Sequence, residues 1–171
     1  MVRSVRCGTH APGAGYRAAM TTTTQSMTST PLQKATATVA ATFLVVGILG
    51  FIPGITTNYD DMTFAGHHSN AQLLGIFGVS VLHNIVHLLF GVVGFLMARS
   101  WSGAKAYLIG GGAIYLVLTV YGFVVDRHAD ANFVPVDNAD NWLHLVLGLG
   151  MIGLGVFLGR TNDGHRTNLP G

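Results

Sequence analysis

The segment SVLHNIVHLLFG, residues 80–91, places His83, Asn84 and His87 inside a long apolar run. A run of about 20 apolar residues is long enough to cross a bilayer, and ionisable side chains within such a run are costly unless they face protein, water or a ligand. These polar residues therefore predict either a contact between helices or a binding site inside a membrane domain.

The amino-acid composition is typical of a membrane protein. Half of the 171 residues are hydrophobic and only 9% are charged, with 23 glycines and no glutamate. Soluble domains carry about 25% charged residues, so this chain has too little charge to cover a water-facing surface. The single cysteine, Cys7, excludes an intrachain disulfide.

Four apolar spans predict four transmembrane helices. They run from Lys34 to about Ile52, from about Leu73 to Ala98, from about Ala106 to Val125 and from about Trp142 to Gly159. A polar loop is expected after Pro53-Gly54, where the first span ends.

The two ends of the chain are expected to lie outside the helical domain. Residues 1–33 are rich in Thr, Ser, Gly and Ala and predict a disordered tail, within which Met20 and Met27 are alternative start sites. Residues 34–159 then form the transmembrane domain, and residues 160–171 form a short C-terminal tail.

The basic residues predict the orientation of the chain. Eight of the nine fall on one side of the four spans: Arg3, Arg6, Arg17, Lys34, Arg99, Lys105, Arg160 and Arg166. Only Arg127 falls on the other side. By the positive-inside rule, both termini are cytoplasmic and the two longer loops face outward. Six aspartates then predict a solvated acidic outer face: Asp60, Asp61, Asp126, Asp130, Asp137 and Asp140.

An internal repeat relates the second and fourth spans. NIVHLLFG at residues 84–91 aligns with NWLHLVLG at residues 141–148, so that Asn84 corresponds to Asn141 and His87 to His144. The first and third spans also end alike, in Gly50-Phe51 and Gly122-Phe123. This pattern predicts two tandem helical hairpins related by an axis along the membrane normal.

Small and polar residues share one face of the second span at helical spacing. They are Ser80, Asn84, His87, Gly91, Gly94 and Ala98. Helices associate in lipid through small residues, which permit close approach, and through polar side chains, which hydrogen-bond across the interface. We therefore predict that this face is the contact face of a four-helix bundle. Matching small surfaces are expected at Gly47, Gly50, Gly110 to Gly112, Gly148 and Gly155.

The histidines allow more than one chemical interpretation. His83 and His87 are four residues apart, a spacing that can direct two nitrogens at one metal. A zinc protease motif would require Glu after the first histidine, where this chain has Asn84. Together with His144, the two histidines could instead bind haem or a transition metal. In the structural interpretation, the histidines form a polar cluster that hydrogen-bonds across the bundle with Ser80, Asn84 and Asn141.

Several motifs resemble those of one family. FIPGITTNYD (51–60), FAGHHS (64–69), SVLHNIVHLLFG (80–91) and the stretch from ANFVPV (131–136) through NWLH (141–144) are similar to the actinobacterial four-span membrane proteins grouped as domain-of-unknown-function family 4383. The resemblance covers residues 35–159 and implies a bacterial plasma-membrane protein. It supplies no activity, ligand or catalytic residue.

The sequence as a whole favours an all-α integral protein of the plasma membrane with a structural or interaction role. Its expected partners are the lipid bilayer and further copies of itself or other membrane proteins, rather than nucleic acid. The alternatives are a haem- or metal-binding redox protein that uses His83, His87 and His144, and a subunit of a small oligomeric channel or transporter. No phosphate loop, nucleophile elbow or basic nucleic-acid patch is present in the sequence.

Overall fold

The computed structural model describes residues 30–66, 68–125 and 138–160, and this part of the chain is mostly helical. The four helices are α1 (Pro31–Leu49), α2 (Val81–Met97), α3 (Trp101–Val124) and α4 (Asn138–Arg160). Helix α1 packs mainly against α2, and α3 packs mainly against α4. By length and composition α1, α3 and α4 could each cross a membrane, whereas α2 is apolar but shorter.

A complete capping motif sets the start of α1. The Thr30 hydroxyl oxygen accepts a hydrogen bond from the Gln33 backbone N–H at 3.2 Å, and the Gln33 side-chain oxygen accepts one from the Thr30 backbone N–H at 3.2 Å. Pro31 occupies the first turn, where its missing N–H is not needed. The helix therefore begins at Pro31 rather than at Lys34. The remainder of the predicted N-terminal tail, residues 1–29, and residues 161–171 lie outside the described residues.

The segment before α2 differs from the prediction, since Leu73 does not begin a helix. Short strands β1 (Thr56–Thr57), β2 (Gln72–Leu73) and β3 (Phe77–Gly78) form an antiparallel sheet in the order β1-β2-β3. Leu74 and Gly75 both have positive φ, at 55° and 70°, and reverse the chain between β2 and β3. The predicted polar loop is thus partly an ordered sheet.

Helix α2 begins only after this sheet. Ser80 is its N-cap residue, and the Ser80 hydroxyl oxygen accepts a hydrogen bond from the His83 backbone N–H at 3.2 Å. The carbonyl oxygens of Thr63 and Phe64 accept two further backbone N–H groups of the first turn, those of Val81 and Leu82. The loop between α1 and α2 therefore satisfies donors that the helix itself leaves unpaired.

Aromatic and aliphatic side chains fill the space between the helices. The buried cluster includes Phe43 of α1, Tyr107, Leu108 and Tyr115 of α3 and Met151 of α4. A second cluster, made by Ala71, Leu73 and Val79, packs the sheet against Val46 and Leu49 near the end of α1. The sheet therefore lies on the same end of the helices as the C-terminus of α1 and the N-terminus of α2.

Candidate functional site

The predicted contact face of α2 is confirmed by burial. Every position of that face is buried: Ser80, Asn84, His87, Gly91, Gly94 and Ala98. Large apolar residues elsewhere on α2, such as Leu89 and Leu96, are more than half exposed, at 59% and 52%. Among the glycines predicted on the other helices, Gly110 is the exception, because it is exposed and has open space around it.

Asn84 packs directly on a glycine of the neighbouring helix. A Cβ atom added at Gly50 would overlap the Asn84 carboxamide, with Oδ1 as the nearest atom. The Gly50 Cα–H group therefore faces Oδ1, which is the geometry of a weak Cα–H···O contact. The Asn84 amide nitrogen lies 3.9 Å from the sulfur of Met62, in the outer loop.

Asn141 makes the equivalent contact in the second half of the chain. A Cβ atom added at Gly122 would overlap the Asn141 carboxamide, again with Oδ1 as the nearest atom. The Asn141 amide also donates a hydrogen bond to the Gly122 carbonyl oxygen at 2.9 Å. The two asparagines and two glycines that align in the sequence are thus paired with each other in the fold.

Further contacts follow the same register in both halves. Gly91 of α2 packs against Leu44 and the carbonyl oxygen of Ala40, both on α1. Gly148 of α4 packs against Leu116 and the carbonyl oxygen of Gly112, both on α3. The two pairs of helices therefore share these glycine contacts at corresponding positions.

The first two histidines of the cluster lie side by side on α2. The rings of His83 and His87 are stacked, with centroids 4.4 Å apart and an interplanar angle of 12°. The Nδ1 atom of His87 is 3.0 Å from the His83 carbonyl oxygen, one turn earlier, and must carry the proton of this hydrogen bond. This bond fixes the ring orientation and leaves Nε2 as the remaining nitrogen of His87.

Phe43 and Tyr115 connect the histidines of the two halves. The Phe43 ring lies 5.6 Å from the His87 ring, and the Tyr115 ring lies 5.1 Å from the His144 ring. Phe43 and Tyr115 are stacked on each other at 5.5 Å. These two aromatic residues belong to the site although the sequence analysis did not single them out. They could have been found by extending the repeat backwards, because they occupy corresponding positions of α1 and α3.

Three buried polar atoms of the site have no hydrogen-bond partner among the described residues. They are Oδ1 of Asn84, Oδ1 of Asn141 and Nδ1 of His144. The two amide oxygens face glycine Cα–H groups, as described above, whereas His144 has no such contact at Nδ1. The ring contacts of Tyr115 and Phe43 nevertheless link His144 to the stacked pair of His83 and His87. The structure thus brings together all three histidines named from the sequence.

The stacked rings of His83 and His87 are not arranged to bind one metal ion together. Within residues 30–66, 68–125 and 138–160, no group of three or more His, Cys, Asp or Glu side chains is arranged to hold a metal ion. Two imidazoles that bind one metal direct their lone pairs at a common point about 2.0–2.1 Å away. The ring planes of His83 and His87 are nearly parallel and stacked, so their in-plane lone pairs do not converge in this arrangement.

The acidic outer face is only partly as expected. Asp60 and Asp61 are exposed, but Asp140 is 2% exposed, and its Oδ2 atom accepts a hydrogen bond from the Gly78 backbone N–H at 3.1 Å. Asp140 is therefore a buried link between α4 and β3 rather than a solvated charge. The remaining aspartates of the second outer loop, together with Arg127, fall in residues 126–137, which lie outside the described residues, as does His67.

Comparison with known proteins identifies the family of the chain. No curated protein and no solved structure matches it. Residues 33–157 match a family described as a domain of unknown function, DUF4383, and these residues include all four helices except their outermost ends. The match confirms the family resemblance of the sequence motifs, and the chain belongs to the DUF4383 family.

Proposed function

We propose that this protein is a multi-pass integral protein of the bacterial plasma membrane whose role is structural or interactive. One observation carries the proposal, namely the distribution of polar and apolar side chains. Asn84 and Asn141 are fully buried, whereas large apolar residues such as Val117, Val146 and Phe157 are 65–69% exposed. This arrangement is unfavourable in water and favourable in lipid, where exposed apolar surface costs nothing and polar groups must find partners inside the protein.

All four helices cross the membrane in this proposal. Helix α2 has 17 residues, which corresponds to about 25 Å at about 1.5 Å per residue and lies at the lower end of the transmembrane range. The helix contains no Asp, Glu, Lys or Arg, and the sheet that precedes it lies against the end of α1. A span of this length is sufficient if the outer loop lies at the level of the lipid headgroups.

The helices form two tandem hairpins, α1–α2 and α3–α4. The repeated contacts support this arrangement, because Asn84 packs on Gly50 as Asn141 packs on Gly122, and Gly91 packs on Leu44 as Gly148 packs on Leu116. Phe43 and Tyr115, which correspond to each other, are stacked where the hairpins meet. Residues related by a two-fold axis touch only near that axis, so the axis passes between these two rings.

The polar cluster serves to join the helices. Each asparagine fills the space above a glycine, His87 is bonded within its own helix, and the histidine rings pack against Phe43 and Tyr115. These contacts fix the register within and between the hairpins, as polar side chains do in membrane bundles. The outward-facing surfaces are then left for lipid, for further copies of the chain or for other membrane proteins.

Cysteine labelling tests the membrane topology. In a Cys7→Ser background, single cysteines at Asn70 and Asn138 should react with a membrane-impermeant thiol reagent on intact cells, because both positions are exposed and lie on the proposed outer side. A cysteine at Ser102, which is also exposed but lies at the start of α3, should react only after the cells are opened. Labelling of Ser102 on intact cells would invert the topology, and equal labelling at all three positions would reject a spanning arrangement.

A further inference from the structure

The turn between β2 and β3 carries a strained and exposed leucine. Leu74 has a φ of 55° and is 61% exposed, and it is followed by Gly75 with a φ of 70°. Turns with two positive φ values favour Asn-Gly, Asp-Gly or Gly-Gly, and leucine is rare in this conformation because its Cβ crowds the backbone. In a water-facing turn, Asn or Asp would suit both the positive φ and the exposure to solvent better than leucine. The presence of leucine therefore requires another explanation.

Other exposed apolar side chains accompany this leucine. Ile76, in the same turn, is 54% exposed, and Phe64, in the preceding loop, is 66% exposed. The sequence from residue 62 to residue 98 contains no Asp, Glu, Lys or Arg. An exposed apolar turn within an uncharged segment is typical of a surface that is covered by another apolar medium or molecule.

The position of the turn indicates what covers it. Leu73 belongs to the buried cluster that packs against Val46 and Leu49 at the end of α1, and the Leu74 backbone N–H donates to the Ile55 carbonyl oxygen at 2.9 Å. The turn therefore lies beside the last turn of α1 rather than far above it. Ile48 and Ile52, which are 52% and 37% exposed, lie in the same region of the chain. Exposed apolar side chains are thus present both near the end of α1 and in the turn packed beside it.

We propose that residues 72–78 form an anchor in the outer lipid leaflet, with Leu74 and Ile76 directed into the boundary between headgroups and acyl chains. This inference rests on the membrane location proposed above. The insertion is shallow, because a sheet with free edges cannot leave its backbone N–H and C=O groups in hydrocarbon. Lipid contact accounts for the leucine in a strained turn position, since the gain from apolar burial offsets the cost of the backbone conformation.

Fluorescence quenching in nanodiscs tests the anchor. Single cysteines at Leu74 and Ile76, in the Cys7→Ser background, are labelled with an environment-sensitive dye, and the nanodiscs contain phosphatidylcholine with a nitroxide near the headgroup. Both labels should show blue-shifted emission and lose about half of their intensity to the nitroxide. A label at Asp60, which is exposed on the same outer side, should be quenched much less.

A fourth label separates the anchor from the membrane location. Val146 lies on the exposed face of α4, and a label there should be quenched by a nitroxide deep in the acyl chains. In one outcome the label at Val146 is quenched, but the labels at Leu74 and Ile76 are quenched as little as the label at Asp60. This result would reject the anchor and retain the membrane location, and the turn would then be a surface for a protein partner. If the label at Val146 is also not quenched, both the membrane location and the anchor are rejected.

Discussion

The carboxamide of Asn141 rests on the backbone of Gly122, and its amide group donates a hydrogen bond to the Gly122 carbonyl oxygen at 2.9 Å. The same relationship joins Asn84 to Gly50 in the first half of the chain, without the direct hydrogen bond. In both cases the glycine is required because any side chain would occupy the volume of the amide. The two glycines are thus the points at which each helix pair is most sensitive to substitution.

Alanine at Gly50 or Gly122 should destabilise the protein. The added methyl group would displace a buried asparagine, and overpacking of this kind costs about 1–3 kcal/mol. At Gly122 the loss of the hydrogen bond to Asn141 would add to this cost. Thermal unfolding of the purified variants in detergent should therefore show a lower Tm, with Gly122→Ala affected at least as strongly as Gly50→Ala.

Gly110 and Gly150 provide matched controls for this prediction. Both are helical glycines with open space where a Cβ atom would be placed. Alanine favours the helix over glycine by about 1 kcal/mol, so Gly110→Ala and Gly150→Ala should leave the Tm unchanged or raise it. A similar decrease in Tm for all four alanine variants would show that contact with asparagine does not explain the effect of substituting Gly50 and Gly122.

Substitutions of His87 distinguish packing from cofactor binding. Gln retains a polar group of similar reach and should keep most of the stability, whereas Leu removes the hydrogen bond to the His83 carbonyl oxygen and should lose about 1 kcal/mol. The measurement is again the Tm in detergent. His144→Leu should cost less than His87→Leu, because Nδ1 of His144 has no hydrogen-bond partner among the described residues and its ring packs against Tyr115.

The absorption spectrum and metal content of the wild-type protein complete the histidine experiment. If His87 and His144 were ligands of haem or of a transition metal, Gln would abolish binding as fully as Leu, because an amide is a poor substitute for imidazole. A Soret band or near-stoichiometric metal in protein purified without added cofactor would therefore contradict the packing role. Such a result would instead support a haem- or metal-binding redox protein.

Leu74→Asn should be more stable in detergent than Leu74→Ala. Asn-Gly is the preferred pair for a turn with two positive φ values, and the strain of a residue such as leucine in this region is worth about 1–3 kcal/mol. Both variants lose the apolar side chain and keep a Cβ atom, but only the Asn side chain can hydrogen-bond to the local backbone and so favour the left-handed conformation. Equal Tm values for the two variants would show that the positive φ at residue 74 does not strain the backbone.

Much of the arrangement of the helices could be predicted from the sequence. The stripe from Ser80 to Ala98 identified the contact face of α2, because small and polar residues in an apolar span have few other reasons to share one side. The repeat identified Asn84 with Asn141 and His87 with His144, and the structure gives these residues corresponding neighbours. The first prediction rests on helical periodicity within one span, and the second rests on the alignment of two spans, so neither requires knowledge of contacts between distant residues.

Features that depend on distant residues were not predicted. Residues 73–78 were assigned to the second helix because an apolar run does not distinguish a strand from a buried helix, and nothing about Leu74 indicates a positive φ. The burial of Asp140 was missed for a related reason. Its partner, the Gly78 backbone N–H, belongs to a different outer segment and has no signature in the sequence.

The final prediction concerns this link between α4 and the sheet. Asp140→Ala would leave the half-buried Gly78 N–H without its acceptor, and the loss of one hydrogen bond costs about 0.5–1.5 kcal/mol. Asp140→Asn retains a side-chain oxygen and should lose less. Hydrogen–deuterium exchange should show faster exchange in peptides that contain residues 77–79 for Asp140→Ala, together with a lower Tm. Asp60→Ala, at an exposed carboxylate of the same outer side, should change neither quantity. Unchanged exchange at residues 77–79 in Asp140→Ala would show that Asp140 does not hold β3 against α4.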